Sequence, residues 1–259
     1  MSARAARVAG AASVALLALA GVAIAQREPG PDDVAPVPPF SQATPGGALP
    51  RPWIELAFPL IARHTRYALV RDAEAGVVVR ADADASASGL SVRLDAAPDQ
   101  WPRLAWRWKV ERGIVNGDLT RRSGDDYPAR VYVAFRYQPS RVSAFERARY
   151  GLMRLAYGEY PPHAALNYVW DAHAPVGTVL PNAYEPRVKM IVVESGTSHH
   201  GQWRGYERDI VADYRAAFGE DPPPISGVGL MSDSDDTGER AIAYYGDLAL
   251  GHGPASVPH

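Results

Sequence analysis

The seven residues 104–110 constrain this chain more than any other stretch. Leu104, Trp106, Trp108 and Val110 alternate there with Ala105, Arg107 and Lys109. A period of two puts the four apolar side chains on one side of an extended strand and both charges on the other. A strand with one apolar face must be covered by a second layer. The same short apolar texture, rich in Val, Ile, Tyr and Trp, runs from Trp53 onward. Strands are expected near 67–71, 77–81, 90–94, 104–110, 130–137, 166–170, 188–194, 227–231 and 241–250.

Two segments break this rhythm. In 143–158, Phe145, Ala148, Leu152 and Leu155 recur at helical steps, Ser143 and Glu146 have capping-box spacing, and Gly158 suits the stop. In 208–219, Ile210, Val211, Tyr214 and Phe218 form a second stripe, ended by Gly219 and then Pro222, Pro223 and Pro224. Neither helix belongs to a strand–helix–strand alternation, which argues against a doubly wound parallel sheet. The fold expected is mainly β: an antiparallel β-sandwich, jelly-roll or galactose-binding-like, with two inserted helices.

Ahead of that domain the chain reads as an address. Arg4 and Arg7 precede an uncharged Ala/Leu/Val stretch, 8–20, too short to serve as a membrane anchor, and small Ala23 and Ala25 mark a cleavage site. Residues 1–25 are therefore expected to be an export signal cut after Ala25, with no membrane span left and a periplasmic or secreted product. Residues 26–50, dense in Pro and Gly, read as a flexible tether. Residues 51–252 form one domain, and 253–259 a disordered tail.

Removing 1–25 takes away two arginines and no acid, leaving 25 basic against 29 acidic residues and a formal charge of −4. Such a mildly acidic chain lacks the basic face that nucleic acid requires. With no cysteine at all, it has neither disulfides nor thiolate metal sites. Stability must come from burial, which a domain of this size supports.

Several stretches resemble a bacterial family known as domain of unknown function 3047. They are Ala87-Ser88-Gly89-Leu90, Leu104-Ala105-Trp106-Arg107-Trp108, Gly124-Asp125-Asp126-Tyr127 with Arg130-Val131-Tyr132-Val133, Leu166-Asn167-Tyr168-Val169-Trp170, and the run from Lys189 to Gly196. The tail from Asp213 through Asp247 completes the resemblance, which covers roughly residues 51 to 250. Pro128 and Asp236 depart from it, standing where a small residue and Asn are usual. The resemblance implies exported bacterial proteins and no established activity, so it carries over no catalytic residues.

The residues themselves offer two acidic loops. In Met231-Ser232-Asp233-Ser234-Asp235-Asp236-Thr237-Gly238-Glu239, oxygen ligands at Asp233, Asp235 and Thr237 followed by glycine match the opening half of a calcium loop. The twelfth position counted from Asp233 is Tyr244, not Glu, and the flanks read as strands, so this is no EF-hand. A tight acidic hairpin, with a basic partner such as Arg240 or Arg130, explains the same run. The second loop, 111–128, holds Asp118, Asp125, Asp126 and Tyr127. Long loops on a β scaffold commonly hold ligands, although turn-capping acids give the same pattern.

Asp125, Asp126, Tyr127 and Arg130, with Trp170 and Trp203 as aromatic platforms, are the ligand-binding candidates. Trp106 and Trp108 belong to the core instead. Ser195 lacks the Gly-x-Ser-x-Gly elbow, and adjacent His199 and His200 read as exposed loop rather than metal ligands. With no recognisable nucleophile, the expectation leans to a non-catalytic protein binding a saccharide or glycan in the cell envelope. A carboxylate hydrolase using Asp126 and Glu194, and a calcium-stabilised structural domain, are the alternatives.

Overall fold

The structure, a computed structural model, describes residues 37–58, 61–157 and 160–251, with the backbone alone at 153 and 155–157. Residues 1–25, expected to be an export signal, residues 26–36 of the expected tether, the Leu155 side chain, Gly158 and residues 252–259 lie outside the described residues.

Twelve strands are described: β1 (Ile54–Ala57), β2 (Arg66–Asp72), β3 (Gly76–Asp84), β4 (Ala87–Ala96), β5 (Arg103–Arg112), β6 (Ala129–Phe135), β7 (Ala164–Asp171), β8 (Val179–Pro181), β9 (Val188–Ser195), β10 (Arg204–Asp209), β11 (Ile225–Asp233) and β12 (Arg240–Gly251). They form a seven-stranded sheet ordered β1-β4-β11-β6-β7-β9-β8 and a five-stranded sheet ordered β10-β5-β12-β3-β2. Every pairing is antiparallel except β7 with β9. The fold is thus a mainly β sandwich carrying two helices, α1 (Ala144–Tyr157) and α2 (Ile210–Phe218).

The alternation in β5 does what its pattern requires. Leu104, Trp106, Trp108 and Val110 are buried between the sheets. Trp106 meets Tyr168 of the opposite sheet at 5.1 Å, and Trp108 meets Trp170 at 6.4 Å and Tyr245 at 6.5 Å. Tilted and edge-on rings at these separations add to what their buried area contributes. Leu90, Val92, Val131, Val133, Leu166, Val228 and Leu230 supply the facing layer.

The intervening residues of the large sheet face outward, yet they too are covered. Leu119 and Tyr127 of the β5–β6 loop pack over Val169, Met190 and Val192, and Phe58 over Tyr132 and Met231. Both faces of this sheet are therefore buried near β6 and β7, which matters for the charges that lie there.

Three features depart from expectation. Residues 37–50, expected as part of the tether, lie against the domain: Phe40 is wholly buried 4.7 Å from Trp53, whose Nε1 donates to Pro38 O at 2.8 Å. Buried aromatic area outweighs the prolines that prevent regular structure there. Strands β1, β8 and β10 go beyond the nine expected, being short or, in Arg204–Asp209, too polar to show a period. Finally, α1 forms with its capping box closed, Ser143 N donating to Glu146 Oε2 at 3.0 Å and Glu146 N to Ser143 Oγ at 3.2 Å. Its Phe145, Ala148 and Leu152, however, point to solvent, whereas Ile210 and Tyr214 of α2 are fully buried.

Candidate functional site

Two acidic stretches more than a hundred residues apart meet at one end of the sandwich. Strand β11 ends at Asp233 and turns back through 234–239, where Gly238 takes a left-handed φ of 71°, a conformation costly for other residues. The β5–β6 loop folds onto this turn. Glu239 accepts from Val115 N at 2.9 Å and Asn116 N at 2.8 Å, while Asp126 accepts from Thr237 N at 2.6 Å and Asp236 N at 3.3 Å. Tyr127 N donates to Asp233 Oδ1 at 3.0 Å. The loop closes on itself through Asp118 N and Gly124 O at 2.8 Å. A Cβ at Gly124 would lie 2.7 Å from Asp118 N, so only glycine permits that approach.

The result concentrates carboxylates. Asp126, Asp233 and Asp235 each bring an oxygen within 4.8 Å of the others. The neighbouring cation is Arg130, buried on the outward row of β6, ion-paired with Asp233 and 4.8 Å from the Tyr127 ring. Asp125 accepts from Asn182 Nδ2 at 2.9 and 3.0 Å, and Asp236 from the Tyr184 hydroxyl at 3.0 Å.

Acidity follows this imbalance. Burial raises Asp126 against the opposing hydrogen bonds from Thr237 and Asp236. Burial and then the charge of Asp126 push Asp235 up to about 6. Burial, Asp235 and Asp126 push Asp236 up to about 7. Desolvation and like charge both disfavour the ionised form, so near-neutral pH finds these two half-buried carboxyls ready to give or take a proton.

Beside this cluster the same loop borders an open depression of about 470 Å³, lined by Asn116, Asp118, Thr120, Arg121, Asp171 and His173 among others. Asp118 accepts from Thr120 Oγ1 at 2.5 Å and from Arg121 Nε at 2.6 Å, and Asp171 from His173 N at 2.8 Å. Its wall is thus a row of donors and acceptors that are already oriented.

Of the residues singled out in the sequence, Asp125, Asp126, Tyr127, Arg130, Asp233 and Asp235 come together. Thr237 joins through its amide and its side chain, both of which bond Asp126, and its hydroxyl accepts from Glu239 N at 3.4 Å. The converging carboxylate trio is Asp126, Asp233 and Asp235. Neither tryptophan is there. Trp170 shares the inner row of β7 with Leu166 and Tyr168, is buried in the core, and donates its Nε1 to Gly196 O at 2.9 Å. Trp203 lies just ahead of β10 of the other sheet, donating to Asp72 Oδ1 at 3.0 Å beneath Lys109. Tyr127 is itself buried like Trp170, and Trp203 is half-buried with Arg107 and Lys109 over its ring.

Nor does Glu194 share a partner with Asp126. It bonds Tyr206 at 2.8 Å and Arg204 at 3.2 Å, with His199 Nδ1 3.2 Å away. Tyr206 packs on Trp106, which puts Glu194 on the inter-sheet side. Asn182 and Tyr184 escaped the sequence reading; the Pro181-Asn182 turn was a signal for both, but nothing marked its destination.

The family model described as a protein of unknown function, DUF3047, matches residues 51–249. No curated protein matches the chain. Among solved structures it is similar to one described as a structural analysis of an exo-beta-agarase, at 9% identity and a TM-score of 0.30, with 80% of this chain and 24% of that chain covered. This chain spans about a quarter of the length of that structure.

Proposed function

The chain belongs to the DUF3047 family of proteins of unknown function, and from that premise we propose that it is an exported, non-catalytic binding domain of the cell envelope that takes a saccharide or glycan at the loop-built end of the sandwich. One observation carries this reading: loop 113–128 is held by the β11–β12 turn through Asp126 and Glu239, beside an open depression whose wall sets Asn116, Asp118, Thr120 and Arg121 among apolar side chains. Sugar hydroxyls are donors and acceptors at once. Carboxylates accept from them, and Asn116 and Arg121 donate. Sites held by short networks on rigid elements orient such ligands at low entropic cost.

The test is calorimetry and glycan-array binding of the chain and of Asp118→Asn/Arg121→Gln. Binding by the parent that falls at least tenfold in the variant is expected. Undiminished binding in the variant, or release of shortened saccharide, overturns the reading.

A second reading has its own observation, the 4.8 Å convergence of Asp126, Asp233 and Asp235. Oxygen ligands at that spacing suit calcium, which would tie the two loops together. Calcium at 100 times its dissociation constant then adds about 2.7 kcal/mol of stability. A melting temperature indifferent to calcium and to chelator would sink this version alone.

A further inference from the structure

Strand β7 ends on an acid that the fold covers and leaves without a counter-charge. Asp171 lines the depression beside loop 113–128 and is only 2% exposed. Its Oδ1 takes both of its hydrogen bonds, from His173 N at 2.8 Å and Ala174 N at 2.6 Å. Among the described residues Oδ2 has no partner, and the carboxylate has no ion pair. A covered carboxylate is costly unless it is paired. Glu185, Glu194 and Asp233, buried to a similar degree, each have an arginine. The main chain of Asp171 is pinned, its carbonyl accepting from Gly196 N at 3.0 Å, so the acid stays at the wall.

The wider field has the same sign. Residues 113–130 and 233–239 carry seven acids and three arginines, a formal charge of −4, in a chain whose total is −2. All other residues together therefore stand at +2. A surface with this imbalance concentrates cations and repels anions. Asp118, on the same wall, is already matched by Arg121 Nε at 2.6 Å, which leaves Asp171 as the acceptor for an incoming charge. No convergent group of three acids or histidines includes Asp171 among the described residues, so a single ammonium suits it better than a divalent ion, which takes several oxygens.

We propose that the ligand is an amino saccharide whose ammonium pairs with Asp171 Oδ2 in the depression. The inference rests on the saccharide reading of the rim and narrows it. A free amine supplies the missing charge, an acetylated amine leaves the acid unpaired, and a uronate adds another anion.

Calorimetry with glucosamine, N-acetylglucosamine and galacturonate oligomers of equal length tests this. A chelator removes calcium, and about pH 6 keeps the free amine protonated. The chain should bind the glucosamine oligomer about tenfold or more tighter than the acetylated one, the worth of one charge-assisted hydrogen bond, and the uronate least. Strong salt should narrow the gap. Asp171→Asn keeps an Oδ1 for the amides of His173 and Ala174, and should bring the first two oligomers within about threefold of each other; its melting temperature checks that it folds. Equal affinities in the parent, or a preference for the amine that survives in Asp171→Asn, overturn the inference while saccharide binding stands. Failure of all three oligomers to bind overturns saccharide binding and this inference with it.

Discussion

Asp82 and Asp236 are both acids at partly covered sites, and their surroundings send them in opposite directions. Asp82, on the outward side of β3, has Arg240 at 2.9 and 3.0 Å, Arg80 at 3.1 Å and Arg66 at 3.8 Å. The hydrogen bond from Arg240 holds it below the usual carboxylate range despite burial. Asp236 has a tyrosine hydroxyl and two further carboxylates, and rises to about 7. A covered acid therefore marks no site by itself. The difference is cation supply: the five-stranded sheet neutralises its acid with three arginines, whereas the rim sets Arg130 among Asp125, Asp126, Asp233, Asp235 and Asp236.

That contrast can be broken most forcefully at Arg130. Replacing it by Met strands Asp233 and its neighbours without their buried counter-charge, and a loss of about 3–5 kcal/mol is expected in chemical denaturation. A loss under 1 kcal/mol would mean the rim does not depend on this pair.

Asp82→Asn is the matching test on the other side. Its arginine partners are 33–76% exposed, so screening limits the loss to about 1–2 kcal/mol. The loss should also shrink in strong salt.

The smallest and most diagnostic effect lies in pH. Asp235 and Asp236 rise in the fold above the ordinary 3.8, so the folded chain holds more protons than the unfolded chain between about pH 4 and pH 7. Their contribution is complete below pH 4 and is lost as pH climbs through about 6 and 7. Asp82 runs the other way, contributing above the ordinary carboxylate value and losing that contribution as pH drops through its lower folded value. Asp236→Asn should flatten the decline between pH 4 and 7 and stabilise the chain at pH 8 by about 1 kcal/mol, a figure discounted for its partial exposure. A stability curve that instead climbs from pH 4 to 7 in the parent, unchanged by this substitution, would erase the distinction between the two regions.

Legibility in the sequence followed locality. Strands β5 and β12 announce themselves because a half-buried strand writes its burial in alternate residues. Strand β10 does not: Arg-Gly-Tyr-Glu-Arg-Asp becomes a strand only because β5 offers an edge from Arg103 to Trp108. At the site, the acidic runs around Asp126 and Asp235 were conspicuous in composition. Trp170 was misleading, because its position beside Asp171 does not say which side of β7 it faces. Its place in the inner row with Tyr168 decides that.

By itself the sequence determined the period-two scaffold, the capping box at Ser143 and Glu146, the missing cysteines and the two acid-rich loops, since each depends on neighbours within a few residues. Tertiary structure alone decided that β7 and β9 run parallel, that α1 turns Phe145 outward, and that Asp126 reaches the amide of Asp236, 110 residues away. Contacts at that separation arise from how layers stack, and carboxylate charges shift one another only once folding has brought them within a few ångströms in a poorly solvated place.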